Sequence, residues 1–157
     1  MDYDFSKICS DLGGVLGKNS CKLEGGFVLD DAKYLFGNNP EFQTVVKMKP
    51  YEFLSLVPPF RKGFPPIESS VIELREKMKA DKPMDPLFLD VDVEDCKVLN
   101  HEGRHRALVA NLLGISEVPV ILYAKKYSET GGFFGKGGHV SVAEKVNCKD
   151  FKPQKWR

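Results

Sequence analysis

The chain has 157 residues, 42% hydrophobic and 29% charged, with 23 basic and 22 acidic side chains giving a formal charge of +1. That length suits one compact domain and leaves no room for a second large core. The near-zero charge excludes a global basic field for steering polyanions, so any phosphate or nucleic-acid site must come from local clustering.

The first forty residues are broken by Gly13-Gly14, Gly17, Gly25-Gly26 and Gly37-Asn38-Asn39-Pro40. They read as small helices or hairpins, with "LDDAKYLF" a short helix started by Asp30 or Asp31. "TVVKMKPYEFLSLV" (44–57) predicts a strand and a short turn ending at Pro58-Pro59, and "PFRKGFPP" (59–66) a loop with two basic residues and rigid prolines. Ile67, Val71, Leu74 and Met78 then form one apolar stripe of an amphipathic helix. Glu68, Ser69 and Ser70 supply its capping chemistry, and Lys82-Pro83 helps to end it.

"PLFLDVDVEDCKVLNHEG" (86–103) reads as a hairpin. Leu87, Leu89, Val91 and Val93 alternate with Phe88, Asp90 and Asp92, and Glu94-Asp95 makes the turn. A helix opens near Gly103 or Arg104. Its Ala107–Leu113 run is apolar but for Asn111, which predicts a helix enclosed on most sides, ended by Gly114. "EVPVILYA" (117–124) is a strand, "ETGGFFGKGGHVSV" (129–142) a glycine-rich loop and "DFKPQKWR" a basic aromatic tail.

Cys9, Cys21, Cys96 and Cys148 form no CxxC pair, which predicts free thiols in a reducing cytosol. The acidic start "MDYDFSKICSDLGG" has no apolar run, so no signal peptide is expected, and no stretch approaches the ~20 residues of a membrane span. The expectation is a soluble cytoplasmic protein.

The most informative stretch is "NHEGRHRALVANLLG", residues 100–114. A helix N-terminus leaves backbone N–H groups unpaired and carries partial positive charge. Gly103 lets the backbone approach an anion closely. Arg104 and Arg106 offer forked donors, and His105 can donate to phosphate or move a proton near neutral pH. Three cations there oppose the helix dipole by ~0.3–1 kcal/mol each. A bound polyphosphate would remove the conflict. Equally, Glu102 can neutralise one arginine while the others point into water.

"EGRHRALVANLLGISEVPVIL", in its order of strand, helix and strand, resembles the ParB/sulfiredoxin-like superfamily. Members carry a G-x-[HR]-R motif between a strand and a helix, then a Leu-Gly and an "[IV]PV" strand; here these are Gly103-Arg104-His105-Arg106, Leu113-Gly114 and Val118-Pro119-Val120. The resemblance covers residues 44–124 and implies a fold of the α+β class, a single small mixed sheet flanked by helices. Residues 1–43 would be an N-terminal extension packed on that core, and 125–157 a Gly-rich hairpin and basic aromatic tail.

Sulfiredoxins place a reactive cysteine where this chain has Arg104, so cysteine-sulfinate reduction is not expected. ParB partitioning proteins carry a following helix-turn-helix domain, for which the residues after 124 leave too little length, so a partitioning role is not expected either. What transfers is a nucleotide phosphate at the glycine turn, with ATP or CTP and Mg²⁺ as cofactors. Gly103, Arg104, His105 and Arg106 would hold the phosphates, and Ser70, Glu73 and Lys77 would face the pocket from the amphipathic helix. Glu73 and Lys77 are also spaced as an i,i+4 surface pair. Glu102 would bind Mg²⁺ or act as a general base, or pair with an arginine.

Catalysis of NTPase or phosphotransferase type would then rest on Glu102, His105 and Glu73, since phosphoryl transfer chiefly needs positioning and charge stabilisation. The other expectations are a non-catalytic DNA- or protein-binding module of phage or plasmid type, and a metal-dependent nuclease using Asp90 and Asp92. That acidic pair equally fits the wet face of an edge strand. "GGFFGKGGH" (131–139) is not a phosphate loop, because Gly137 follows Lys136. It could form a lid with Phe133 or Phe134 stacking on a base, or a plain surface hairpin. His101, His105 and His139 have no metal-ligand spacing. Lys152, Lys155, Trp156 and Arg157 could touch nucleic acid or form a disordered end.

Overall fold

A computed structural model describes residues 4–31, 43–63, 65–92 and 97–125. The Glu94-Asp95 turn, the glycine-rich stretch 129–142 with Lys136 and His139, and the tail from 150 lie outside the described residues.

Eleven elements follow in order: α1 (Phe5–Asp11), β1 (Val15–Leu16), β2 (Ser20–Lys22), β3 (Val28–Asp30), β4 (Gln43–Met48), α2 (Pro50–Leu56), α3 (Glu68–Lys79), β5 (Leu87–Asp92), β6 (Lys97–Glu102), α4 (Arg104–Leu112) and β7 (Val118–Lys125). A 3₁₀ turn, Glu24–Gly26, precedes β3. Strands β1-β2-β3 form one sheet, and a second has the order β4-β7-β5-β6. In the second sheet β5 pairs parallel to β7 while β4–β7 and β5–β6 are antiparallel. The protein is a small α+β domain.

The larger sheet explains the apolar spacing. Leu87, Leu89 and Val91 are buried, as period-2 alternation requires. β7 lies centrally between β4 and β5, and residues 118–122 are buried on both faces. Pro119 is tolerated near the start of β7, where it sits opposite Lys47. Helix α4 packs on α2, α3 and β5. Phe53, Met78, Ala107, Val109 and Ala110 join the strand residues in one core, each large side chain contributing roughly 1.5–3 kcal/mol of burial.

α3 forms where its stripe predicts and ends in a Schellman turn. Lys82 N–H donates to Lys77 O at 3.0 Å and Asp81 N–H to Met78 O at 3.2 Å, with Asp81 at φ 54°. α4 ends the same way, with Gly114 at φ 73° and Ile115 N–H on Ala110 O at 3.0 Å.

Several expectations are corrected. Of "LDDAKYLF", Leu29 and Asp30 extend β3, paired with Cys21 and Ser20, and residues 32–36, where the helix is expected, lie outside the described residues. The short turn after the first core strand is the seven-residue helix α2, with Pro50 at its first position. α4 is less enclosed than its composition implies, because Leu112 is 65% exposed. α3 lacks a side-chain cap from Glu68, Ser69 or Ser70; its N-cap is Ile67. Cys9 and Cys21, expected as free thiols, are joined by a disulfide, and both are buried. Cys96 and Cys148 lie outside the described residues.

Hydrogen bonds fasten the N-terminal unit to the core. Val28 N–H donates to Met84 O at 2.9 Å and Met84 N–H to Gly26 O at 2.8 Å. Glu24 Oε1 accepts from Ser116 N–H at 2.9 Å, from Ser116 Oγ at 2.6 Å and from Glu117 N–H at 3.4 Å. The Ser116 hydroxyl first, then these backbone donors and Lys47, hold the Glu24 carboxyl below its usual range against the cost of burial.

Candidate functional site

The site is built at the junction of β6 and α4. Gly103 caps α4 at φ 111° and ψ 19°, a left-handed conformation that only glycine adopts freely. A Cβ there would lie 2.8 Å from Leu87 Cγ and 3.0 Å from Arg106 Nη2. The first intrahelical bond is Ala107 N–H to Gly103 O, 2.9 Å. The N–H groups of Arg104, His105 and Arg106 therefore precede the intrahelical ladder.

The three basic side chains take different directions, each with a partner. Arg104 Nη1 donates to Pro58 O at 2.8 Å and to Pro59 O at 3.5 Å, and its guanidinium lies 4.1 Å from the Phe60 ring centroid. Arg106 Nη2 donates to Pro86 O at 2.8 Å and to Glu102 Oε2 at 2.6 Å, with Nη1 3.4 Å from Glu102 Oε1. The side chain of Arg106 is only 15% exposed, and its buried Nε has no hydrogen-bond partner. His105 Nε2 accepts the Ile67 N–H at 3.1 Å, and its ring meets Phe60 edge-on at 5.0 Å. His105 thus replaces the missing side-chain cap of α3. That bond requires the neutral ring with its proton on Nδ1. Burial first, then the Arg104 charge, lowers its pKa from the ordinary value.

Pro58, Pro59, Arg61, His101 and Arg104 surround a hollow of about 240 Å³ at the start of α4. Arg61 and His101 were not singled out by the sequence as phosphate ligands. Arg61 is signalled only by its place in the proline-bounded "PFRKGFPP" loop, and His101 by standing two residues before the motif glycine. His101 is half-buried, and burial chiefly, with Arg104 adding and Glu102 opposing, lowers its pKa. It also borders a second hollow of about 90 Å³ with Phe88, Asp90, Asn100 and Glu102.

The remaining candidates are dispersed. Glu73 and Lys77 form an i,i+4 ion pair at 2.9 Å on α3, with side chains 66% and 45% exposed. Ser70, half-buried, lies in the first turn of the same helix. None of the three lines either hollow. Asp90 and Asp92 do not lie on an edge strand, since β5 runs between β7 and β6, and Asp92 is buried. Among the described residues no three His, Cys, Asp or Glu side chains form a group able to hold a metal ion. No described helix is long and apolar enough to cross a membrane.

No family model, curated protein or solved structure matches the chain.

Proposed function

We propose that the chain is a nucleotide-binding protein of the ParB/sulfiredoxin-like type, seating nucleotide phosphates in the hollow at the start of α4. The observation that carries this reading is the convergence of Arg61, Arg104 and His101 on one concave surface beside the opening turn of a helix. Oriented guanidinium groups and unpaired helix N–H groups are what a phosphate requires. The hairpin, left-handed glycine, helix and returning strand follow in the order the resemblance implies. ATP or CTP is the ligand of this reading, with Mg²⁺ arriving on the triphosphate. Glu102 is its candidate ligand from the chain, through an exposed carboxylate shared with Arg106. Turnover would be hydrolysis or phosphoryl transfer.

A second reading, a non-catalytic binding module whose partner is DNA or another protein, has a specific observation behind it. Each nominated catalytic group is already engaged: Glu102 with Arg106, His105 with Ile67, and Glu73 with Lys77. His105 cannot take a substrate proton on Nε2 without breaking its bond to Ile67, and the two carboxylates would have to share their ion pairs with a substrate. A cytoplasmic location belongs to the nucleotide reading. The buried Cys9–Cys21 bond weighs against it, because disulfides persist in oxidising compartments.

The test is a thermal-shift series with ATP and CTP in the presence of Mg²⁺, followed by phosphate release. Nucleotide binding raises the melting temperature by mass action, to the extent of about 2.7 kcal/mol at a hundred times Kd. Stabilisation with phosphate release supports the enzyme, stabilisation without release supports a nucleotide binder that does not turn over, and capture of DNA or a protein without either supports the binding module. No stabilisation at millimolar nucleotide removes the nucleotide reading.

A further inference from the structure

We infer that the hollow grips a polyphosphate tail through Arg61 and Arg104 and leaves the nucleobase outside, an inference that rests on the nucleotide reading above. Arg104 is anchored to the Pro58 and Pro59 carbonyls and covered by Phe60. It is a fixed positive charge in the wall of the hollow. Arg106, the other arginine of the turn, is held by Glu102 and the Pro86 carbonyl and does not line the hollow.

Arg61 differs from both. It is exposed, lines the hollow, and among the described residues its side chain makes no hydrogen bond or ion pair. Its five N–H donors form a fork suited to two oxygens of one phosphate. The backbone that leads into it is organised. Arg104 bonds the two preceding prolines, and the ring of Phe60, the adjacent residue, is set between Arg104 and His105. The fork is thus presented on a braced loop, which lowers the ordering cost of binding.

The lining also sets the class of ligand. Two guanidiniums and an imidazole share the space, with no carboxylate among the described lining residues, an arrangement whose repulsion an anion relieves. The other described lining residues are two prolines, whose side chains have no donor or acceptor with which to read a base edge. A hollow of about 240 Å³ is smaller than the roughly 300–1,000 Å³ that encloses a drug-sized molecule. It accommodates the phosphates but not the base and sugar with them.

The experiment is isothermal titration of the full chain with ATP, CTP and inorganic tripolyphosphate in one buffer, for wild type and Arg61→Gln, with thermal melts of both ligand-free proteins. The expected result is three affinities within about tenfold of one another. Arg61→Gln should weaken all three by about tenfold or more, as loss of charge-assisted bonds implies, and leave the ligand-free melting temperature where it was. A nucleotide that binds more than about tenfold tighter than tripolyphosphate, or an Arg61→Gln protein that keeps wild-type affinity, overturns the inference while the nucleotide reading stands. If none of the three binds, the nucleotide reading falls as well.

Discussion

Reduction of the Cys9–Cys21 bond should lower stability measurably, and its size follows from the loop it closes. The two cysteines are 12 residues apart, so the cross-link holds together the end of α1, the Gly13-Gly14 turn, β1 and the start of β2. Restricting the unfolded chain over such a loop is worth about 3 kcal/mol at 25 °C on the chain-entropy account. At 1 kcal/mol per roughly 2–4 °C for a chain of this size, that is a fall of roughly 6–12 °C in melting temperature. Reduction is a cleaner perturbation than substitution, because it deletes no buried atoms where the sulfurs pack against Gly14. A Cβ on Gly14 would lie 3.0 Å from Cys9 Sγ and would overlap Cys21 Sγ still more closely.

The assay is a pair of thermal melts, with and without a phosphine reductant. Alkylation of the unreduced, denatured protein should leave Cys9 and Cys21 unmodified in the peptide map. Equal melting temperatures, or full alkylation of both cysteines without reductant, would refute the reasoning. The second outcome would restore the free-thiol expectation drawn from the absence of a CxxC pair.

Three further outcomes are expected. Stability should decline as pH falls, because His105 and His101 both have folded-state pKa values below the ordinary 6.5. The unfolded chain then binds protons first, so the contribution is complete above pH 6.5 and lost as pH falls through the folded values. Urea melts between pH 7.5 and pH 5 should show this, and the slope should shrink in His105→Gln. Gly103→Ala should cost about 1–3 kcal/mol from the left-handed backbone alone, more if Leu87 cannot move aside, read from a denaturant midpoint. Arg106→Ala should cost about 1–3 kcal/mol by orphaning the Pro86 carbonyl, whereas Glu73→Ala, which breaks an exposed i,i+4 pair, should stay within about 0.5 kcal/mol.

The larger elements were legible because their period is long enough to count. The apolar stripe of α3 and the alternation in β5 each extend over several residues, and Gly114 is a stop signal with one physical meaning. The N-terminal sheet was not legible, since strands of two or three residues cannot display an alternation. α2 was hidden for a similar reason, at seven residues, although Pro50 after Lys49 is a helix-start signal. Within the site, the Gly103–Arg106 turn was legible as a turn. Its bonding was not, because Arg104 reaches back 46 residues to Pro58, and His105 meets Ile67 38 residues away. No local pattern encodes partners that only the packing of α4 beside the α2–α3 connection brings together.

Those long-range bonds also change the meaning of the cations at the start of α4. Positive side chains at a helix N-terminus work against the dipole, and from sequence a bound polyphosphate was the natural relief. The fold supplies another. The Pro58 and Pro86 carbonyls and the Glu102 carboxylate give Arg104 and Arg106 their oxygen acceptors, and His105 is neutral while it accepts the Ile67 N–H. The turn is therefore internally compensated before any ligand arrives. What is left over is the charge of Arg61, presented beside that compensated turn, and a guanidinium in a concave wall with no partner among the described residues is a better sign of a ligand than the two answered ones of the turn. If Arg61 and Arg104 carry the binding, substitutions at Gly103, His105 and Arg106 should act mainly through folding, those at Arg61 mainly through affinity, and those at Arg104 through both. Melts and titrations on the same set of variants separate these two effects.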